Sequence, residues 1–449
     1  MQAESTRDLR YEELERRAVL VGVCLPDEHR FERRMKELEG LAEAAGIEAV
    51  GFYTQNLKRP DAAFYIGTGK VDEIKRGAET LDANLILFNN QLSPAQLRNL
   101  SEALGLEVID RTNLILTIFA ERARSNEAKM QIDYAKLKYS LPRLVGLREG
   151  LSRQGGTAGS LSNRGSGEKK IELDRRKIEK QMSLLRRDLD ELATERSIRR
   201  SKRAASGLPL VSLVGYTNAG KSTLLNQLLS LYSPEVAPEK SVLAKDMLFA
   251  TLDTSIRRIE PPDMAPFLLS DTVGFIDQLP TLLIDAFRST LDEAVHADLL
   301  LQVVDSCDPD CEEHIKITEQ ILTELEVGDV PMIYVMNKAD ELMRQNAEAE
   351  DAVPLYFPQG LPCIRGSRIY LSAKSGEGIP ELLAMIAEEL NRSKITADYL
   401  IPYAEGGLEN RIRENGVIHE IKYEAEGIRI SATLEPKDAG ALKAYMVEE

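Results

Sequence analysis

The sequence predicts an α/β protein of several domains, organised around a doubly wound, mostly parallel sheet. Three observations carry this reading. Short β-rich apolar runs alternate with helix-period stretches over the first hundred residues and again from residue 207. Between those regions the apolar period becomes purely helical, with steps of three and four. A chain of 449 residues is also too long for one compact core, and about three domains is the natural expectation.

Residues 1–110 read as a small α/β domain. Strands are expected at 18–24 (AVLVGVC), 47–52, 85–88 and 106–109, with a helix over 27–45 closed by Gly46. Further helices are expected at 69–81 and 94–104, the latter with Ser93 as N-cap and Pro94 at its first position. Gly67-Thr68-Gly69-Lys70 lacks the spacing of a phosphate loop and reads as the turn that starts the 69–81 helix.

Residues 111–206 read as a helical hairpin. Met130, Tyr134, Leu137 and Leu141 form one apolar stripe, and Ile178, Met182, Leu185, Leu189 and Leu192 a second. The stretch between them, 155–167 (GGTAGSLSNRGSG), carries five glycines and no apolar period, so a long mobile tip loop is expected. Residues 207–392 bring five apolar runs, 210–214, 267–269, 299–304, 330–336 and 369–371. Each is followed by polar residues, as in a sheet that holds a ligand at its strand C-termini. Residues 393–449 contain strands 418–423 and 428–434, joined by a turn at Glu426 and Gly427, in a small α+β domain. No internal repeat is found.

Composition narrows the function classes. Hydrophobic residues are 43% and charged residues 29% of the chain, the balance of a soluble globular protein, and no run approaches the roughly 20 apolar residues of a membrane span. The N-terminus has no apolar signal core, and four scattered cysteines (Cys24, Cys307, Cys311, Cys363) fit a reducing compartment, so a cytoplasmic location is expected. The net charge of −16 is unevenly spread. Residues 143–206 hold 17 Lys and Arg against 9 Asp and Glu, a local +8 in a chain that otherwise carries −24. Phosphate binding is a local electrostatic effect, so this block is a candidate surface for nucleic acid.

The chemistry is concentrated in residues 207–392. Gly215-Tyr216-Thr217-Asn218-Ala219-Gly220-Lys221-Ser222 follows a strand and opens a helix expected at 223–231, beginning with Thr223. Its glycines let backbone N–H groups converge on phosphates, Lys221 reaches the β- and γ-phosphates, and the Ser222 hydroxyl is a ligand for Mg²⁺. Asp271-Thr272-Val273-Gly274 closes the next strand, with Asp271 as a second magnesium ligand and the Gly274 N–H as a γ-phosphate sensor. Asn337-Lys338-Ala339-Asp340 ends another. The Asp340 carboxylate can accept from guanine N1–H and the 2-amino group, neither of which adenine offers. Ser372-Ala373-Lys374 ends the last strand and presents a backbone N–H to guanine O6. Phe249-Ala250-Thr251-Leu252-Asp253 lies between the first two motifs, and Thr251 is expected to join the Mg²⁺ when the γ-phosphate is present. Lys221, Thr251 and Gly274 are the expected catalytic groups.

These motifs, in this order and each after a strand, specify a P-loop GTPase domain that binds GTP and GDP. Intact Lys221, Ser222, Thr251 and Asp271 argue against a scaffold that does not switch. After Gly274 stands Phe275, which cannot orient water as the glutamine of many GTPases does, so intrinsic hydrolysis is expected to be slow. Asn218 in a G-x-x-N-x-G-K-S loop, with a hydrophobic residue after Gly274, resembles GTPases that use K⁺ beside the phosphates; hydrogen bonding within the loop is the alternative role for Asn218. Cys307, Cys311 and His314 supply only three ligands, from a segment that reads as loop and helix cap, and no zinc site is expected.

The whole chain resembles the HflX-type GTPases. The likeness rests on GYTNAGKSTLLN, FATLDT, DTVGFI, NKAD and SAKSGEG, and outside that domain on NQLSPAQLRNL, the stretch from DRTNLILTIF to KLKYSLPRLVG, LSRQGG and ELDRRKI. The resemblance implies a cytoplasmic, partly ribosome-associated protein, a monomer in solution, that binds the large ribosomal subunit and its rRNA. It further implies splitting of stalled or stress-damaged ribosomes with GTP as the switch, the helical hairpin being the arm that enters the ribosome. Subunit assembly or another RNA process stays open as the alternative. Where the family usually carries GTRGPGETQLE, this chain keeps Arg164, Gly165, Gly167 and Glu168 but has Ser166, Lys169 and Lys170 in place of the proline and the Thr-Gln pair.

Overall fold

Four parallel strands build the first sheet: β1 (Arg16–Cys24), β2 (Ile47–Asn56), β3 (Leu85–Phe88) and β4 (Glu107–Asp110), in the order β2-β1-β3-β4. The structure is a computed structural model, and it describes residues 16–26, 30–153, 161–204, 207–233, 249, 255–277, 280, 291, 293–348, 360–392, 394–434 and 436–447. Parallel strands need crossovers, and the helices α1 (Phe31–Ala44), α2 (Thr68–Thr80) and α3 (Pro94–Leu104) supply them. Val19, Val21, Ile74, Ile86, Phe88 and Leu100 form the core they enclose. The start of α3 is fixed as the sequence indicates: Gln96 N donates to Ser93 Oγ, while Ser93 N donates to Gln96 Oε1. Gly67 is the N-cap of α2, in keeping with a helix-starting turn.

Three helices follow, α4 (Arg111–Arg122), α5 (Asn126–Arg153) and α6 (Leu161–Ala204). Buried Asp110 ties the first two to the sheet. Its carboxylate accepts from Asn113 N at the start of α4 (2.9 Å) and from the Tyr139 hydroxyl of α5 (2.5 Å). The expected tip loop over 155–167 is corrected in part. Helix α6 already begins at Leu161, so Gly165 and Gly167 are helical; residues 155–160 lie outside the described residues. A glycine within a helix costs about 1 kcal/mol against alanine, which a 44-residue helix tolerates twice. The second apolar stripe of α6 is half-buried, and no residue from 172 to 201 is fully buried.

The second sheet has seven strands in the order β10-β11-β9-β8-β5-β7-β6. They are β5 (Leu210–Val214), β6 (Ser255–Ile259), β7 (Phe267–Asp271), β8 (Leu299–Asp305), β9 (Met332–Asn337), β10 (Cys363–Arg365) and β11 (Arg368–Tyr370). All five expected runs are strands. The two that periodicity missed, β6 and β10, are short antiparallel edges whose exposed residues show no apolar alternation. β5 lies between β7 and β8, with α7 (Lys221–Tyr232) leaving its C-terminal end. The third sheet, β12-β14-β13, joins β12 (Ile395–Ile401), β13 (Gly416–Glu424) and β14 (Gly427–Leu434). The expected hairpin is present, and β12 is an added partner on the far side of β14.

Contacts divide the chain into two compact units. The first comprises residues 1–193 with 245–253 and 276–289; the second holds the rest. Among the described residues no helix is long and apolar enough to cross a membrane.

Candidate nucleotide site

The backbone beyond β5 dictates the loop that follows it. Asn218 (φ +60°) and Gly220 (φ +96°) both take left-handed conformations. Asparagine tolerates this region, whereas a side chain at Gly220 is excluded twice over, since a Cβ there would stand 2.1 Å from Asn337 Nδ2. Lys221 opens α7 from a buried position, and its Nζ donates to the carbonyls of Gly215 (3.0 Å) and Tyr216 (2.8 Å). Burial pushes its pKa down to about 8, with the Asp271 carboxylate acting in the opposite direction.

Asp271 ends β7 opposite Leu213 of β5 and is wholly buried. Its Oδ2 accepts from Ser222 Oγ at 3.0 Å. One hydroxyl and one carboxylate oxygen at this separation are the hard donors that Mg²⁺ takes, so the residues present fit that ion. The next residue, Thr272, anchors the segment by donating to Leu213 O at 2.6 Å. Beyond Val273, the Gly274 backbone lies on the loop itself: a Cβ there would be 2.8 Å from Thr217 Cγ2 and 3.0 Å from Lys221 Nζ. Phe275 then acts as a strap. Its N donates to Gly215 O (3.1 Å), its carbonyl accepts from Thr217 N (2.7 Å), and its ring is buried.

Asn337, at the end of β9, joins three loops through one residue. Its Nδ2 donates to Ala219 O (2.9 Å) and its Oδ1 accepts from Ala373 N (2.9 Å). Its backbone carbonyl accepts from both the N and the Oγ of Ser306. Lys338 takes φ +62° and pairs with Asp305 at 2.7 Å. Ala339 is buried, and Asp340 is exposed in the first turn of the helix Ala339–Glu348. Ser372 is buried with its N donating to Glu377 O, while Lys374 is exposed.

The structure therefore brings Gly215–Ser222, Asp271–Phe275, Asn337–Asp340 and Ser372–Lys374 to the C-terminal ends of β5, β7, β9 and β11. Thr223 sits beside them, half-buried on α7. Ala250, Thr251, Leu252 and Asp253 lie outside the described residues. Phe249 is described: it takes φ +57°, and its ring meets Phe119 edge-on at 4.5 Å within the first unit. In that unit Asp277 also accepts from Arg34 Nε (3.0 Å), and its carbonyl from Arg111 Nη2 (3.2 Å).

Sequence reasoning missed Asp305 and Ser306, and, with a zinc site set aside, it gave His314 no other role. The His314 ring is buried and stacks flat on Tyr216 of the phosphate loop, with centroids 3.8 Å apart and planes 10° from parallel. The signal available was that His314 lies on the buried face of the helix Cys311–Glu324, next to the strand β8 that neighbours β5.

Comparison with known proteins agrees with this arrangement. Three families match in order: GTP-binding GTPase N-terminal over residues 32–120, GTP-binding GTPase Middle Region over 122–203, and 50S ribosome-binding GTPase over 210–338. A relative named GTPase HflX from Caldanaerobacter subterraneus is 40% identical over 431 residues, covering 96% of this chain and 94% of its own. The Escherichia coli protein of that name is 38% identical over 412 residues and covers 91% of each chain. Among solved structures, a GTP-binding protein from Sulfolobus solfataricus in complex with GDP is 26% identical. It covers 84% of this chain and 99% of its own with a TM-score of 0.42, too loose a match to carry an argument. With identity of this order sustained over nearly the full length of both chains, and the phosphate, magnesium and guanine motifs at the strand ends that a GTP hydrolase requires, this chain belongs to the HflX family of GTPases.

Proposed function

We propose that the chain binds the large ribosomal subunit and splits stalled or stress-damaged ribosomes, with GTP binding and hydrolysis as the switch. The observation that carries this is helix α6: 44 residues long, nowhere fully buried over its described side chains, and set in the one strongly basic segment of an acidic chain. Such a helix gains little from its own fold and suits a polyanionic surface. The match of residues 210–338 to a family described as ribosome-binding GTPases supports the same target.

Within the site, Lys221 and the N–H groups at the start of α7 hold the β- and γ-phosphates, and Asp340 with a backbone N–H of the Ser372–Lys374 segment reads guanine. Ser222, Asp271 and Thr251 are the residues that would hold Mg²⁺, which supplies charge neutralisation at the phosphate oxygens. Gly274 senses the γ-phosphate by its N–H. Asn218 is exposed in the loop and is the residue that would hold K⁺; hydrolysis faster in KCl than in NaCl at matched ionic strength is expected, and equal rates would remove the potassium role. Phe275 brings no polar group to the water, so hydrolysis is slow alone and rises with ribosomes. Turnover measured with and without purified large subunits tests the reading. Strong stimulation by large but not small subunits is expected, and a rate indifferent to both would sink it.

A further inference from the structure

Three consecutive residues at the end of β8 converge on one turn of the Asn337–Asp340 segment. The parallel register of β8 and β9 ends with Asp305 opposite Asn337, so the residues that follow the two strands run side by side. Ser306 donates to Asn337 O from both its N (2.9 Å) and its Oγ (2.7 Å). Cys307 Sγ donates to Lys338 O at 3.3 Å. Burial, with the Asp305 carboxylate beside it, pushes that thiol up to about 11, which keeps its proton in place. Asp305 Oδ2 accepts from Lys338 Nζ (2.7 Å), while its Oδ1 accepts from Cys307 N (3.0 Å) and braces the loop itself. A backbone bond would continue the strand ladder; the bonds from the Ser306, Cys307 and Asp305 side chains go beyond what strand pairing requires.

The residue they hold is one whose backbone needs holding. Lys338 stands at φ +62°, a left-handed conformation that a lysine keeps only where its surroundings over-determine it. Its carbonyl also accepts from Glu341 N (3.0 Å) and Leu342 N (3.1 Å), so this residue starts the helix Ala339–Glu348. Asp340 falls in the first turn of that helix. The place of the Asp340 carboxylate is therefore set by the turn at Lys338, and that turn by residues 305–307. The Asp305 and Lys338 side chains are both partly buried, so their pair is screened less than one on an open surface.

We propose that Asp305 is a positioning residue for base recognition: through Lys338 it fixes the turn that aims Asp340 at guanine, and so sharpens the preference for that base. A carboxylate that accepts from both N1–H and the 2-amino group needs its two oxygens aligned with the base edge. Hypoxanthine, the base of inosine, offers N1–H alone. Loosening the turn should therefore weaken guanosine nucleotides more than inosine nucleotides. Asp305 need not touch the nucleotide to have this effect. This inference rests on the reading of Asp340 as the guanine acceptor given above.

The test compares the full chain with Asp305→Ala, Asp305→Asn, Lys338→Met and the double variant Asp305→Ala, Lys338→Met. Affinities for GDP and inosine diphosphate, single-turnover hydrolysis at saturating GTP, and melting without nucleotide are measured for each. Loss of the carboxylate should weaken GDP binding about tenfold and narrow the preference for GDP over inosine diphosphate about threefold or more. The rate at saturating GTP should stay within about twofold, because the phosphates are held by other residues. Beside Lys338→Met, the same alanine should change GDP affinity by less than about twofold. Should Asp305→Ala fold poorly, Asp305→Asn, which keeps an acceptor for Cys307 N, decides by the same readouts. Native GDP affinity in a folded variant would overturn the proposal. So would a loss of affinity that leaves the preference for GDP intact, or one equally large beside Lys338→Met, since either marks a merely structural carboxylate. A native chain that binds GDP and inosine diphosphate equally would instead overturn the reading of Asp340, and this inference with it.

Discussion

The nucleotide site and helix α6 are held by opposite means. In the site several polar groups are held by particular partners: Asn337 by Ala219 and Ala373, Ser222 by Asp271, the Phe275 backbone by Gly215 and Thr217. Along α6 many charges are exposed and pair within a turn of one another, as in Glu172–Arg176 (3.1 Å) and Glu195–Arg199 (3.1 Å), while half-buried Arg203 pairs with Glu293 (2.8 Å). Buried polar groups are costly to disturb, whereas exposed pairs one turn apart add only about 0.3–0.5 kcal/mol. The difference separates two jobs. Four of the five motif segments, Gly215–Ser222, Asp271–Phe275, Asn337–Asp340 and Ser372–Lys374, lie within one unit, while the exposed pairs of α6 one turn apart add little to the fold.

The largest expected effect is at Asn337. Truncation to Ala leaves a buried N–H and a buried carbonyl unpaired, which should lower stability by about 2–4 kcal/mol in denaturant unfolding and weaken GTP binding at least about 100-fold. A variant that unfolds at native denaturant concentrations would show that the site is not held as argued.

Asp340→Asn should separate chemistry from stability, because the side chain is exposed. GTP affinity should fall on the order of 10²- to 10⁴-fold and xanthosine triphosphate affinity rise, while the melting point stays put. Equal binding of ATP and GTP by the native chain would overturn the guanine assignment.

A smaller effect is expected from Lys221. Its pKa in the free protein is held near 8 by burial, below the usual lysine value, and phosphates favour the charged form. Between that value and the ordinary lysine range, GTP binding must therefore take up a proton, and affinity should fall as pH rises through 8. Calorimetry at pH 8.5 in buffers of different ionisation enthalpy reads the uptake directly; a binding enthalpy independent of buffer would contradict it.

The smallest effect on the fold, and an informative one on function, should come from α6. Reversing Lys180, Arg186 and Arg187 to Glu should leave melting within about 2 °C and GTP binding unchanged. Ribosome association should weaken and lose part of its salt dependence. A collapse in stability would mean that those charges serve the fold after all.

The two regions were also unequally legible. The sites after β5, β7, β9 and β11 could be read because phosphate and guanine chemistry fix residue types at fixed spacing, as in Gly220-Lys221-Ser222 and Asn337 to Asp340. Strands such as β3 and β5 were read within their limits because both faces are buried, which leaves a continuous apolar run. The edge strands β6 and β10 were not, since exposure removes the pattern. The start of α6 was misplaced because glycine content reads as loop, although long helices absorb single glycines. The role of His314 was not visible in the sequence, because only the fold brings its ring to 3.8 Å from that of Tyr216. The strap made by Phe275 was invisible because its partners are backbone atoms, which no side chain advertises.

Sedimentation of intact ribosomes incubated with this chain tests the division of labour most directly. With GTP or a non-hydrolysable analogue, the native chain should convert the intact-ribosome peak into separate subunits. The Lys180, Arg186 and Arg187 reversal, still able to bind GTP, should leave that peak unchanged. Native protein that leaves intact ribosomes whole at saturating GTP would contradict the proposed activity, and a reversal variant that splits them as well as the native chain would contradict the role given to α6.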